Sequence, residues 1–131
     1  MGLGLVEYSK FLIENGIKTL AVANFEEAIT LREAEIEEEI LMMSPIVLKK
    51  ELQLLIENDI TITLGSFEEL EMAEKLAKEY KKQIKAHIKI DTGFGRYGFL
   101  SSEKEIILEV FKKCKNVLIT RYVYSFFKTI R

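Results

Sequence analysis

The sequence predicts an α/β fold, with five helices and five parallel strands in strict alternation, beginning with a helix. Three observations predict it. Short apolar runs recur along the chain, too brief for helices and apolar on both faces. Between them lie longer segments whose apolar residues fall at helical spacing. Capping and stopping residues stand at the junctions. Short apolar strands joined by helices specify a parallel sheet covered by helices.

The elements follow in order. Residues 5–15 read as a helix that Asn15-Gly16 stops, glycine taking the left-handed position past its end. Thr19 to Ala23 reads as a buried strand. Asn24, with Glu27 three residues on, opens a helix to about Ala34. Ile40 to Met43 is the next strand, and Ser44 and Pro45 supply an N-cap and first-turn proline for a helix to about Glu57. Ile60 to Leu64 is a strand. Ser66 and Glu69 form a capping box for a helix with Phe67, Leu70, Ala73, Leu76, Ala77 and Tyr80 on one face. Ala86 to Ile90 is a strand, Ser102 with Glu105 caps a helix to about Cys114, and Val117 to Tyr124 is the last strand. Two architectures satisfy this alternation: a doubly wound open sheet, and part of a (β/α)₈ barrel, which when complete needs roughly 250 residues.

Composition limits the functions available. The 131 residues are 48% hydrophobic and 31% charged, which suits one domain with a real core and excludes disorder. No apolar run approaches the roughly 18 residues of a membrane span. The opening Met1 to Glu7 has no basic secretory pattern, and Val6 stands where myristoylation needs Ser or Thr. A single cysteine, Cys114, fits a reducing cytoplasm and an inert thiol. The net charge of −2 conceals a tail from residue 110 with six basic residues and no acidic one. That tail reads as a strand with its flanks rather than a nucleic-acid surface, and the acidic run Glu33 to Glu39 as a solvated helix end.

One connection differs from the rest. Asp91 to Ser101 reads Asp-Thr-Gly-Phe-Gly-Arg-Tyr-Gly-Phe-Leu-Ser and holds three of the seven glycines (Gly93, Gly95, Gly98). It follows a strand, so it lies at the carboxyl edge of the sheet, where both architectures place their sites. Arg96 offers a planar fork of donors to an anionic oxygen. Gly93 to Gly98 spells G-x-G-x-x-G, yet the glycines do not run directly into a helix and no acidic residue follows position 109 to hold a ribose, so a dinucleotide site is not expected. His87 is the only histidine, which excludes a multi-histidine metal site, and its place on a strand reads as structural.

The segment His87-Ile-Lys-Ile-Asp-Thr-Gly-Phe-Gly-Arg-Tyr-Gly-Phe99 resembles the signature of the bacterial alanine racemases, which usually have Met where Phe94 stands. Gly16 to Ala28 with Leu31-Arg32, and Ile40 to Met43, are similar to that family's second and third strands with the intervening helix. Gly2-Leu-Gly4 resembles the glycines that follow the family's cofactor lysine. The resemblance covers essentially the whole chain and implies a partial (β/α)₈ TIM barrel of the domain that binds pyridoxal 5′-phosphate.

It implies a cytoplasmic isomerase that interconverts L- and D-alanine for peptidoglycan, acting on a small amino-acid substrate, with no nucleic-acid or membrane partner, and as a homo-oligomer. Arg96 would be the cofactor-binding arginine near the phenolic oxygen, and Lys89 the lysine, carbamylated in many members, that orients it. Phe126 stands where the family has a histidine near the cofactor ring. The resemblance also implies truncation at both ends. The first strand with the Schiff-base lysine would precede Met1, and the last two strands and the C-terminal β domain with the partner tyrosine would lie beyond Arg131. Read so, these residues alone hold no catalytic base and racemise nothing. The alternatives are a non-catalytic remnant, a self-associating half-barrel, or a piece of another barrel racemase or decarboxylase using the same cofactor.

Overall fold

A computed structural model describes residues 2–46, 48–91 and 98–125. Among them the order is α1 (Gly2–Glu14), β1 (Thr19–Val22), α2 (Phe25–Glu33), β2 (Glu39–Met42), α3 (Lys49–Glu57), β3 (Ile62–Leu64), α4 (Phe67–Tyr80), β4 (Ile84–Asp91), β5 (Phe99–Leu100), a 3₁₀ turn (Ser101–Glu103), α5 (Lys104–Lys113) and β6 (Val117–Ser125). Five helices stand as expected. The strands number six, because the short β5 pairs with the end of β4, a tertiary contact that no local pattern announces.

All pairings are parallel. β1 pairs β2 from Thr19↔Glu39 to Val22↔Met42, and β3 pairs β4 from Ile62↔Ala86 to Leu64↔Ile88. A bridge between Leu41 and Thr61 joins the two groups, with Met42 N donating to Thr61 O at 2.9 Å and Thr61 N to Ile40 O at 2.8 Å. β6 lies against β4 from Ile84↔Val117 to Asp91↔Ser125. The order β1-β2-β3-β4-β6 thus follows the chain without reversal. That is the winding of a barrel wall; a doubly wound sheet reverses at its switch point. Ile90 and Asp91 pair with both β5 and β6, so β5 sits on the β3 side of β4, just past the end of β3.

The sheet has two unlike faces. Leu20, Val22, Ile40, Met42, Ile62, Leu64, Ala86 and Ile88 are buried against the helices, where Ala28, Leu31, Leu52, Leu55, Leu70, Ala73 and Leu76 complete one core. Strand alternation puts Thr61, just before β3, Thr63 of β3, and Lys85, His87, Lys89 and Asp91 of β4 on the opposite face.

Several local expectations hold in detail. Gly16 stops α1 with φ +95. Asn24 caps α2, its side chain accepting from Glu27 N at 2.9 Å, while Glu27 reaches back to Ala23 N at 2.8 Å. Ser66 caps α4 in the same way, and Glu69 accepts from Gly65 N at 2.7 Å. Four expectations fail. α3 starts at Lys49 and not behind Ser44-Pro45, because Ile46 enters the core and keeps the chain out of a helix there; Leu48 precedes α3 with extended φ −116. Ser102 lies within the 3₁₀ turn, and Glu103, not Glu105, accepts from Leu100 N at 3.2 Å. Tyr80 ends α4 exposed, at the last turn where the helix leaves the sheet. The acidic run is likewise split: Glu33 closes α2, Glu35 takes the left-handed conformation, and Glu39 begins β2.

Candidate functional site

The carboxyl edge of β4 carries the site that the sequence singles out. Lys89 is half-buried and Asp91 buried, two residues apart on the polar face. His87 lies one step deeper, buried and in register with Thr63 of β3. Thr63 donates through its hydroxyl to Met42 O at 2.8 Å, tying β3 to β2 at this level.

The chain leaves β4 at Asp91 and returns at Gly98, whose successor Phe99 pairs with Ile90. Phe99 is 2% exposed and packs edge-on against Phe67 of α4 (ring centroids 4.9 Å apart) and Phe111 of α5 (6.0 Å). A loop thus starts and ends at one point on the sheet edge, with an aromatic anchor holding its returning arm. Arg96 and the other residues 92–97 lie outside the described residues, as does Phe126, so the structure describes Lys89 and not Arg96.

On the other side of β4 a bulge supplies a feature that sequence reading missed. Ala86 pairs with Ile119 but His87 with Arg121, leaving Thr120 as the extra residue; its hydroxyl lies 3.4 Å from Ala86 O. A one-residue slip exchanges the faces of a strand. Beyond the bulge, Arg121, Val123 and Ser125 therefore take the register positions beside His87, Lys89 and Asp91.

The helix starts at this edge are capped by their own side chains. Asn24 accepts from the N–H of Glu27, the third residue of α2, and Ser66 from that of Glu69, the third of α4, while Glu27 and Glu69 accept from Ala23 N and Gly65 N in the loops before them. Glu103 does the same ahead of α5. A cavity of about 360 Å³ opens at the opposite, amino-terminal edge, between Arg32, Glu39, Asp59, Thr61 and Lys85. Its arginine is already engaged by four backbone carbonyl contacts, so the cavity offers no free fork to a ligand. Among the described residues no group of three or more His, Cys, Asp or Glu could hold a metal, and no helix is long and apolar enough to cross a membrane.

The family model for the alanine racemase N-terminal domain matches residues 1–131. An alanine racemase of Methanococcus maripaludis is 41% identical over 116 residues, 88% of this chain and 30% of that protein. One from Streptococcus equi is 41% identical over 100 residues, 76% of this chain and 26% of that protein. The solved alanine racemase of Clostridium difficile superposes with a TM-score of 0.85 at 29% identity, covering 94% of this chain and 32% of that one. The chain therefore spans about 30% of the length of the relatives it matches.

Proposed function

Because this chain belongs to the alanine racemase N-terminal domain family, we propose that it is the middle of the barrel wall of a pyridoxal 5′-phosphate-dependent alanine racemase, the part of a (β/α)₈ barrel without its first and last two strands. The observation that carries the reading is the half-buried Lys89 at the carboxyl edge of β4, with the Asp91–Gly98 loop returning directly beside it. In the family, the lysine at this place orients the arginine of the same loop. Here that arginine is Arg96, two residues before Gly98 in the chain.

When bound, the cofactor supplies an electron sink for a carbanion at the amino acid Cα. The residues described fit one flank of such a site, the carboxyl edge of β4 where Lys89 stands. Lys89 would hold the guanidinium of Arg96 in place, and Arg96 would steady negative charge on the cofactor ring. The anchoring lysine, the phosphate loops and the partner tyrosine would come from the remainder of such an enzyme, which acts in the cytoplasm as a dimer to supply D-alanine for peptidoglycan. Alone, the 131 residues are expected neither to racemise alanine nor to form a dominant borohydride-reducible adduct on one lysine.

The test is a chimera in which residues 1–131 replace the matching segment of the Clostridium difficile enzyme, with Phe126 changed to His. Production of D-alanine from L-alanine, coupled to a D-amino-acid oxidase, is expected of the chimera and not of the isolated chain. A folded chimera that takes up the cofactor and leaves alanine unchanged overturns the reading.

A further inference from the structure

We propose that Gly98 is a positioning residue for Lys89, an inference that rests on the reading of Lys89 as a working residue of the site. Two observations meet at this glycine. Its backbone has φ +144, a conformation that side chains rarely adopt. A Cβ added there would stand 2.9 Å from the Asp91 backbone nitrogen, 3.1 Å from Lys89 Cγ and 3.1 Å from the Lys89 carbonyl oxygen. Gly16 provides the contrast, with φ +95 and nothing within 4 Å of the same added atom. At Gly16 backbone conformation alone calls for glycine, whereas at Gly98 the strand and the stem of Lys89 occupy the space as well.

Gly98 has no room to retreat. Phe99 beside it is fixed between Phe67 and Phe111 and paired to Ile90. On the other flank of Lys89 runs β6, with Val123 in register. The Lys89 stem thus lies against the returning arm of its own loop, and it is half-buried where Lys85 on the same face is exposed. A lysine stem confined in this way sends its ammonium group along one route, since a long apolar stem otherwise samples many. The glycine that closes the loop carrying Arg96 is therefore also the wall that aims Lys89.

The test reads the Lys89 amine directly, so its outcome is independent of whether the chimera racemises alanine. The 131-residue chain, Gly98→Ala and, as a strain control, Gly16→Ala are labelled with trace acetic anhydride, and Lys89 is compared with Lys85 by mass spectrometry. Gly98→Ala is expected to change the Lys89-to-Lys85 labelling ratio by about threefold or more, because a displaced stem changes how its head meets water. Gly16→Ala should leave the ratio as it was. An unchanged ratio in folded Gly98→Ala, or one that moves in step with every other lysine, overturns the proposal. Should Gly98→Ala not fold, proton NMR of the unsubstituted chain decides. Cross-relaxation between Gly98 Hα and Lys89 Hγ supports the assignment, and its absence overturns it.

Discussion

The carboxylate of Glu74 accepts hydrogen bonds from both the backbone N–H of Asn116, at 3.1 Å, and its side-chain amide, at 3.0 Å. The same carboxylate accepts from Lys115 N at 3.0 Å and Val117 N at 2.9 Å. A single α4 side chain thus holds the turn that launches β6, and β6 carries the register positions next to Lys89. Glu74→Gln leaves one acceptor oxygen and turns two donors toward donors. It should cost about 2 kcal/mol, since hydrogen bonds to charged groups contribute roughly 1.5–3 kcal/mol. Urea unfolding followed by circular dichroism measures the loss, and an unchanged midpoint would refute it.

Arg32 plays the matching part at the amino-terminal edge. Its Nε donates to Asn58 O at 2.8 Å, Nη1 to Ile36 O at 2.6 Å and Glu38 O at 2.9 Å, and Nη2 to Asp59 O at 3.1 Å. Glu35 and Asp59, at the two turns it clasps, have φ of +62 and +53. A flexible ammonium cannot reproduce a planar fork, so Arg32→Lys should cost about 2 kcal/mol despite keeping the charge. Lys and wild-type chains that unfold at the same urea concentration would sink this idea.

These two anchors explain what the sequence could and could not reveal. Asn24, Ser66 and Gly16 were legible because a cap or a stop acts within four residues, and the alternation of apolar strands and helices identified the α/β class. Glu74 and Arg32 act across 42 and 26 residues, so their roles exist only once the sheet has formed. The start of α3 was misplaced for a related reason: Pro45 is a good first-turn residue, but the burial of Ile46 outweighs local preference. Lys89 is singled out by the resemblance alone; strand periodicity marks it only as one lysine on a polar face. The bulge at Thr120 and the fit of Gly98 against Lys89 depend on neighbouring strands and left no local signal.

The lone thiol should be sluggish. Burial first, and the Glu74 carboxylate second, push the Cys114 thiol above its ordinary range. Only the thiolate reacts readily, so iodoacetamide near pH 8 should alkylate the folded chain more slowly than the urea-unfolded chain. Glu74→Gln should speed the folded reaction in part, burial remaining. The folded thiol keeps its proton to higher pH than the unfolded one. Its contribution to stability is therefore present below the ordinary thiol range and is lost as pH rises from about 8.5. Equal alkylation rates for folded and unfolded chains would contradict the assignment.

The isolated chain should self-associate. Among the described residues β1 pairs only with β2 and β6 only with β4, so each presents a row of backbone donors and acceptors without a strand beside it. An open edge of that kind templates pairing with another chain. Apolar surface lies near the amino-terminal side of this sheet as well: Tyr8 and Phe11 of α1 are 64% and 57% exposed and stacked with ring centroids 6.4 Å apart, and Ile17 is 43% exposed. Covering each 100 Å² of such surface is worth about 2.5 kcal/mol, which favours a second copy over water even before any backbone pairing. Static light scattering on freshly purified chain should give a mass above that of the 15.2 kDa monomer. Tyr8→Lys with Phe11→Lys should lower that mass by charging the helix face, and a lysine at Ala21, exposed on β1, should lower it by guarding the edge. A monodisperse, cooperatively melting monomer would mean that both edges are closed within the chain itself.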